Sequence, residues 1–156
     1  MQQILTLVLI VVLVGIAIAV GITLFSNSAY QSNIQAITLE LQTFKTRAIE
    51  YWKLPPNLGG AGQDITRTDP EALALYLGFE ESFGKTIQVT WAFNSDNAEY
   101  HFAGCNDAQM TILALGTEAK GNKFPFVNYS YDMMTNDTEI KINSAESFAT
   151  AETESN

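Results

Sequence analysis

The first 25 residues of the chain are almost entirely apolar. From Ile4 to Phe25 the only polar side chains are those of Thr6 and Thr23, and no Asp, Glu, Lys or Arg occurs before Glu40. A 22-residue helix rises about 33 Å, close to the roughly 30 Å hydrocarbon core of a bilayer. The pattern predicts a helix that is apolar on every side, which lipid or other helices must cover.

The next segment keeps the helical period but becomes amphipathic. Its apolar residues recur at alternating spacings of four and three, the period of one helix face. Because neither Pro nor Gly occurs between Phe25 and Leu54, one helix is predicted from near residue 2 to about Lys53, ended by Pro55-Pro56. The stripe predicted to pack against the rest of the chain consists of Tyr30, Ile34, Ile37, Leu41, Phe44, Ala48, Tyr51 and Trp52.

A turn-rich connector and a short helix are predicted next. Residues 55–69 carry three glycines between positions 59 and 62, but a phosphate-binding loop would also need a preceding strand and a Gly-Lys-Ser/Thr ending, so we interpret this segment as a connector. The short helix ends at about Leu77, before Gly78. Its start is signalled by either a capping box of Thr68 and Glu71 or a cap at Asp69 with Pro70 in the first helical position.

Beyond Gly78 the hydrophobic period changes to two, which indicates strands. Strands are predicted at 86–93, 99–103, 109–115, 126–133 and 138–142, the first two forming a hairpin. The fold class predicted is α+β: a long N-terminal helix, apolar in its first half and amphipathic in its second, packed on a small antiparallel sheet of four or five strands. Core candidates are Trp52, Trp91 and Phe93.

Four segments follow from this organisation. They are an apolar helix segment at 1–27, its amphipathic continuation at 28–54, a β-rich globular head at 55–142 and an acidic tail at 143–156. The tail is rich in Ser, Thr, Glu and Ala, a composition typical of disorder, so we expect the domain surface or a neighbouring subunit to hold it in place.

Charge excludes several classes of partner. With 17 acidic and 8 basic residues the chain has a net charge of −9, and no run of Lys or Arg is available to bind nucleic acid or anionic lipid. A cleaved signal peptide is one alternative for the apolar segment, but the segment lacks a basic n-region and exceeds the usual apolar length of about 7–15 residues. A single-span anchor is another alternative, although without flanking Lys or Arg its orientation is weakly specified.

The sequence contains few residues that could support catalysis, metal binding or a disulfide. His101 is the only histidine and Cys105 the only cysteine, so no disulfide within the chain and no Cys/His metal set can form. A Cys–His nucleophile would need a residue to orient the histidine, and a serine nucleophile its Gly-x-Ser-x-Gly elbow. The acidic and amide runs at 94–99 and 136–139 do not fit a calcium-binding loop, and we interpret them as turns. No catalytic residue, cofactor or metal is predicted.

Two tripeptides match the acceptor pattern for N-glycosylation. They are Asn128-Tyr129-Ser130 and Asn136-Asp137-Thr138. Such matches are frequent by chance and matter only in a cell that has the pathway.

The layout of the first 53 residues resembles a mature type IV pilin or related pilin-like subunit whose short leader has been removed. The features that carry the resemblance are the uncharged N-terminus, the aliphatic run, Tyr30 and the amphipathic continuation into a C-terminal domain. The resemblance implies anchoring in the inner membrane, handling by the pilus assembly machinery, and polymerisation with copies of the same chain into an extracellular filament, or fimbrium. The resemblance is compatible with a role in cell adhesion, but it does not distinguish adhesion from motility, DNA uptake or biofilm cohesion.

The chain departs from the family pattern at three positions. Met1 stands where the family usually has a methylated Phe, Leu5 where it usually has a glutamate that pairs with a neighbour's terminal amine, and Ile22 where many bacterial members have a proline. An uncharged Leu5 is consistent with a dry helix core. Gly15 and Gly21 each cost about 1 kcal/mol of helix propensity relative to Ala and either soften the helix or admit close neighbours, of which we favour the second.

The expected function is therefore a non-enzymatic structural subunit of a surface filament. The alternatives are a minor pilin or pseudopilin, or a membrane-anchored domain that binds a partner outside the cytoplasm. The resemblance places the filament core, or the membrane helix before assembly, at Ile4, Leu5, Leu7, Val8, Ile10, Val11, Val14, Gly15, Ile18, Gly21, Ile22 and Phe25.

Overall fold

A computed structural model describes residues 2–83 and 89–148 of the chain. At positions 2, 82, 83, 89 and 90 it describes the backbone alone. It confirms the α+β class, with one long helix followed by an antiparallel sheet. The helices are α1 (Gln2–Lys53) and α2 (Pro70–Leu77), and short 3-10 turns occupy Pro56–Leu58 and Ile65–Arg67. The strands are β1 (Glu80–Phe83), β2 (Val89–Asn94), β3 (Ala98–Asn106), β4 (Gln109–Gly116), β5 (Phe124–Asp132) and β6 (Thr138–Ala145).

Helix α1 is continuous over 52 residues, as predicted from the absence of Pro and Gly between Phe25 and Leu54. The connector after it turns back onto its end: the backbone N–H groups of Ala61, Gly62 and Gln63 donate to the carbonyls of Tyr51, Leu54 and Trp52, respectively, at 2.8–3.1 Å. These bonds satisfy carbonyls that have no partner within the helix. The interpretation of this glycine-rich segment as a connector is confirmed.

Helix α2 begins with one of the two predicted caps. The Asp69 carboxylate accepts a hydrogen bond of 3.0 Å from the backbone N–H of Glu71, and Pro70 is the first helical residue. Gly78 ends the helix with φ +95°, a backbone conformation that favours glycine. Both the Asp69 cap and the Gly78 end are confirmed.

Within the described part of the chain the sheet has six strands in sequential order, each antiparallel to the next, rather than the four or five predicted. The strand missing from the prediction is β1, which begins with Glu80 and Glu81 and so shows no hydrophobic alternation. The predicted strand at 86–93 is described only from Val89 onward, and positions 86–88 lie outside the described residues. Strands β3 and β6 each extend three residues beyond the predicted ends.

The core lies between α1 and the inner face of the sheet. Leu41 and Ala48 of α1 are fully buried, and the Phe44 ring lies at its centre, 5.2 Å from the ring of Phe79 and 5.3 Å from that of Tyr100. Of the three core candidates, Trp52 is buried, whereas Trp91 and Phe93 are half-buried and pack against the core.

A smaller apolar cluster lies on the outer face of the sheet. The ring of Phe148 stacks on that of His101 at 3.9 Å and meets Phe126 edge-on at 6.1 Å. The boundary predicted between head and tail at residue 142 falls inside β6, so residues 143–145 are strand. The domain surface thus holds the segment as far as Phe148, and residues 149–156 lie outside the described part of the chain.

Candidate assembly surface

The apolar half of α1 projects from the head with all of its large side chains exposed. From Ile4 to Phe25 the exposed fractions of these side chains lie between 51% and 77%. The segment is long and apolar enough to cross a membrane, judged by length and composition. A Cβ atom added at Gly15 or Gly21 would meet nothing within 4 Å. Every residue assigned above to the filament core is therefore available to lipid or to another chain.

The amphipathic half of α1 packs on the head slightly differently from the predicted stripe. Ile37, Leu41, Phe44, Ala48, Tyr51 and Trp52 are buried, whereas Tyr30 and Ile34 are only half-buried. In their region it is Asn33, which the hydrophobic pattern treats as a surface position, that is buried, at 5% exposure.

Asn33 fastens α1 to two loops of the head. Its Nδ2 donates a hydrogen bond of 2.7 Å to the carbonyl of Asn97, and its Oδ1 accepts one of 3.4 Å from the backbone N–H of Glu118. The amide lies so close to Gly116 that a Cβ atom there would overlap Asn33 Oδ1 and the Pro125 ring. The helix is thus held at the point where it leaves the head.

Glu40, the first charged residue of the chain, is also directed into the head. Its Oε2 accepts hydrogen bonds from Ser95 Oγ at 2.8 Å and from Tyr100 Oη at 2.7 Å, and its Oε1 accepts one from Asn97 Nδ2. Burial, and then the Glu40 carboxylate, raise the pKa of Tyr100 above its usual range. Glu40 therefore joins α1 to the β2–β3 turn, with its carboxylate hydrogen-bonded to the head.

The side of α1 opposite the sheet carries no charge over a long distance. Given 100° per residue, the positions that face away from buried Leu41 between residues 28 and 46 are small or uncharged. Among them Leu39 is 70% exposed. Lys45 instead lies over the Tyr131 ring at 4.9 Å. Arg47 is exposed but donates a hydrogen bond of 2.9 Å to the carbonyl of Leu77, and Glu50 is the first charged residue directly opposite Leu41. The uncharged outward positions are Ser28, Ser32, Gln35, Leu39, Thr43 and Thr46.

His101 and Cys105 are not brought together. His101 lies on the outer face of the sheet, where its Nε2 is 2.9 Å from Glu99 Oε1, whereas Cys105 is buried on the inner face beyond the irregularity between Phe102 and Gly104. Burial raises the pKa of the Cys105 thiol to about 11, which keeps it protonated near neutral pH. The pair has no geometry for nucleophilic chemistry.

The acidic and amide runs form turns. In the first, the Ser95 backbone N–H donates to the Ala98 carbonyl at 2.9 Å; in the second, the Asp132 N–H donates to the Asp137 carbonyl at 3.0 Å. Within residues 2–83 and 89–148, no group of three or more His, Cys, Asp or Glu side chains is placed to hold a metal ion.

Comparisons with known proteins leave the family open. No protein-family model matches the chain, and no characterised protein or solved structure matches it.

Proposed function

We propose that this chain is the structural subunit of an extracellular filament of the type IV pilus kind and polymerises through α1. The membrane holds the apolar segment before assembly, and identical helices of other subunits cover it afterwards, with the pilus assembly machinery effecting the transfer. The long helix packed on an antiparallel sheet is compatible with a pilin-like architecture.

The observation that carries this proposal is the length of the uncharged surface on α1. The apolar run from Ile4 to Phe25 would suffice to cross a bilayer, but the side of α1 away from the sheet stays uncharged as far as Thr46. From residue 3 to residue 46 that surface extends about 66 Å, roughly twice the hydrocarbon thickness. Lipid alone does not require the second half of this surface to be uncharged, whereas packing against further helices does.

The apolar segment also has to be kept out of water both before and after assembly. Fully burying one Val, Leu, Ile or Phe side chain contributes about 1.5–3 kcal/mol, and the segment exposes more than a dozen of them. Apolar surface of this extent is not left in contact with water. In a filament, the helices of neighbouring subunits would exclude water from it.

Two substitutions separate polymerisation from simple anchoring. Leu9→Asp places a charge in the apolar run, and Leu39→Asp places one on the outward face beyond it. We expect both variants to lose filaments, because an unpaired carboxylate is costly between packed helices. Leu39→Asp should nevertheless remain in the membrane fraction with an unchanged melting temperature, since Leu39 is exposed and lies outside the spanning segment. The measurement is electron microscopy of material sheared from the cell surface, with membrane fractionation alongside.

Asn57→Asp is the matched control, because it adds the same charge at an exposed position of the connector. It should form filaments like the unaltered chain. Filaments formed by Leu9→Asp would show that the apolar segment is not the filament core. If the unaltered protein is recovered only as monomers from detergent-solubilised membranes, the proposal is wrong. The better hypothesis is then a membrane-anchored domain that binds a partner outside the cytoplasm. Filaments that contain this chain only as a trace component would identify a minor pilin instead.

A further inference from the structure

The two N-glycosylation acceptor tripeptides lie in different structural settings. Asn128 is in the middle of β5, hydrogen-bonded within the sheet between Leu113 of β4 and Lys141 of β6, and its side chain is half-buried. Asn136 is in the turn between β5 and β6, where residues 134–137 are all exposed. An enzyme could reach Asn136 in the folded protein, whereas it could draw Asn128 out only by opening the sheet on both sides.

The side chain of Asn136 is held with its reactive nitrogen free. Its Oδ1 accepts a hydrogen bond of 2.9 Å from the hydroxyl of buried Tyr131. Among the described residues, none accepts a hydrogen bond from Nδ2. The backbone of Asn136 has φ +60°, a left-handed turn conformation that Asn tolerates better than most residues other than glycine. The carbonyl oxygen is thus fixed while the amide nitrogen stays available.

A cleft of about 450 Å³ opens beside Asn136. It lies between the end of α1 and the β5–β6 turn, with Gln63 and Lys53 among its polar lining residues and Met134 among its apolar ones. Its volume lies within the range of about 300–1,000 Å³ that is typical of small-molecule sites. Gln63 also has a positive φ, +61°. The first rings of an attached saccharide would find both hydrogen-bonding and apolar surface there.

We infer that Asn136 is an N-glycosylation site, with a saccharide delivered by a lipid-linked phosphate or pyrophosphate donor. Nδ2 of Asn136 forms a bond to the anomeric carbon as that carbon's bond to the phosphate oxygen breaks. The electron pair leaves with the phosphate, and a base removes one amide proton. The inference rests on the export of the head that the proposed function entails, but not on polymerisation. The site lies near the end of α1 opposite the apolar segment, so a glycan there leaves the assembly surface uncovered.

The test is mass spectrometry of the protein from the surface of the cells that make it, as intact chain and as peptides. We expect a saccharide mass on the peptide that contains Asn136. Asn136→Gln and Thr138→Ala should lose that mass completely. Thr138→Ser should keep it, because it retains the hydroxyl that the acceptor pattern requires.

Asn128→Gln is the matched control and should keep the modification. Absence of a saccharide from Asn136, or a saccharide on Asn128 alone, would overturn the inference. Retention of the mass in Thr138→Ala would do the same, since it would show that the acceptor pattern is not recognised. Filaments observed without this modification would leave the proposed function standing, and a modified chain that forms no filaments would leave only the glycosylation site standing.

Discussion

Glu40 illustrates how one polar residue can join a helix to a sheet. Its carboxylate accepts hydrogen bonds from three side chains of the head, those of Ser95, Asn97 and Tyr100. In Glu40→Gln one of the two oxygens becomes an amide that donates, so at least one of these three donors loses its acceptor. We expect a loss of about 1–3 kcal/mol in the free energy of unfolding. Thermal or denaturant unfolding of the full chain in detergent, followed by tryptophan fluorescence, measures it.

Glu50→Gln provides the comparison, because Glu50 is also on α1 but is exposed and faces away from the sheet. It should change stability by no more than about 0.5 kcal/mol. Equal stability of the two variants would show that the Glu40 bonds contribute nothing net to the fold.

The buried hydroxyl of Tyr129 makes the stability of the protein sensitive to alkaline pH. Its hydroxyl has no hydrogen-bond partner among the described residues, and burial raises its pKa to about 12. The nearby Thr138 side chain partly offsets this rise without forming a hydrogen bond of ordinary geometry with the hydroxyl. A pKa raised in the folded state means that folding favours the neutral phenol. Its contribution is therefore complete below pH 10, the unfolded value, and is lost as the pH rises through about 12.

Between pH 10 and pH 12 we therefore expect Tyr129→Phe to lose less stability than the unaltered chain. The difference in the free energy of unfolding should be on the order of 2 kcal/mol. At pH 7 the variant should be as stable as the unaltered chain or more stable by about 1 kcal/mol, because no hydrogen bond is removed. Melting temperatures at intervals from pH 7 to pH 12 test both statements. The buried Cys105 thiol, whose pKa is raised to about 11, titrates in the same range in both proteins and cancels in the comparison. An identical alkaline slope would contradict the assignment to Tyr129.

Among the elements, α1 is the one that sequence predicts best. Its extent depends on local properties, namely the absence of Pro between residues 2 and 53 and the two prolines that follow. The set of residues that it buries depends on tertiary geometry, and there the pattern is less reliable. Asn33 is buried because Asn97 and Glu118 offer it hydrogen bonds from loops distant in sequence. A hydrophobic stripe contains no signal for such a polar contact.

The sheet shows the same division between local and distant causes. Strands β3 and β4 alternate between buried and more exposed residues, and β5 does so from Val127 onward, in keeping with the period of two in their sequences. Strand β1 starts with two glutamates and exists because Glu80–Phe83 pairs with Val89–Ala92 in register, a relationship that its own four residues do not encode. Its position at the sheet edge also explains why charged residues are tolerated there.

At the scale of the whole molecule, the two halves of α1 have their apolar side chains covered in different ways. The head satisfies its own apolar surface with the second half of α1, whereas the first half presents large apolar side chains to no part of the described chain. Sequence alone locates this division near residue 27, where the segment that is apolar on every side gives way to an amphipathic stripe. It does not locate Glu40 itself inside the head or the turn that carries Asn136 beside a cleft, because both depend on how distant segments meet.

A larger side chain at Gly15 tests how closely neighbouring helices approach in the proposed filament. A larger side chain there meets nothing in the monomer, and leucine favours helix over glycine by close to 1 kcal/mol. Gly15→Leu should therefore leave α1 and the head intact. If small residues admit neighbouring helices, as in membrane helix pairs, the same change separates the helices and reduces filament yield by at least about tenfold. Filament mass per cell, with circular dichroism of the detergent-solubilised monomer, distinguishes assembly from folding. Ile16→Leu is the control, since it conserves volume at the adjacent position and should polymerise normally. Filaments of unchanged yield and helical symmetry from Gly15→Leu would show that no neighbour approaches α1 at this point.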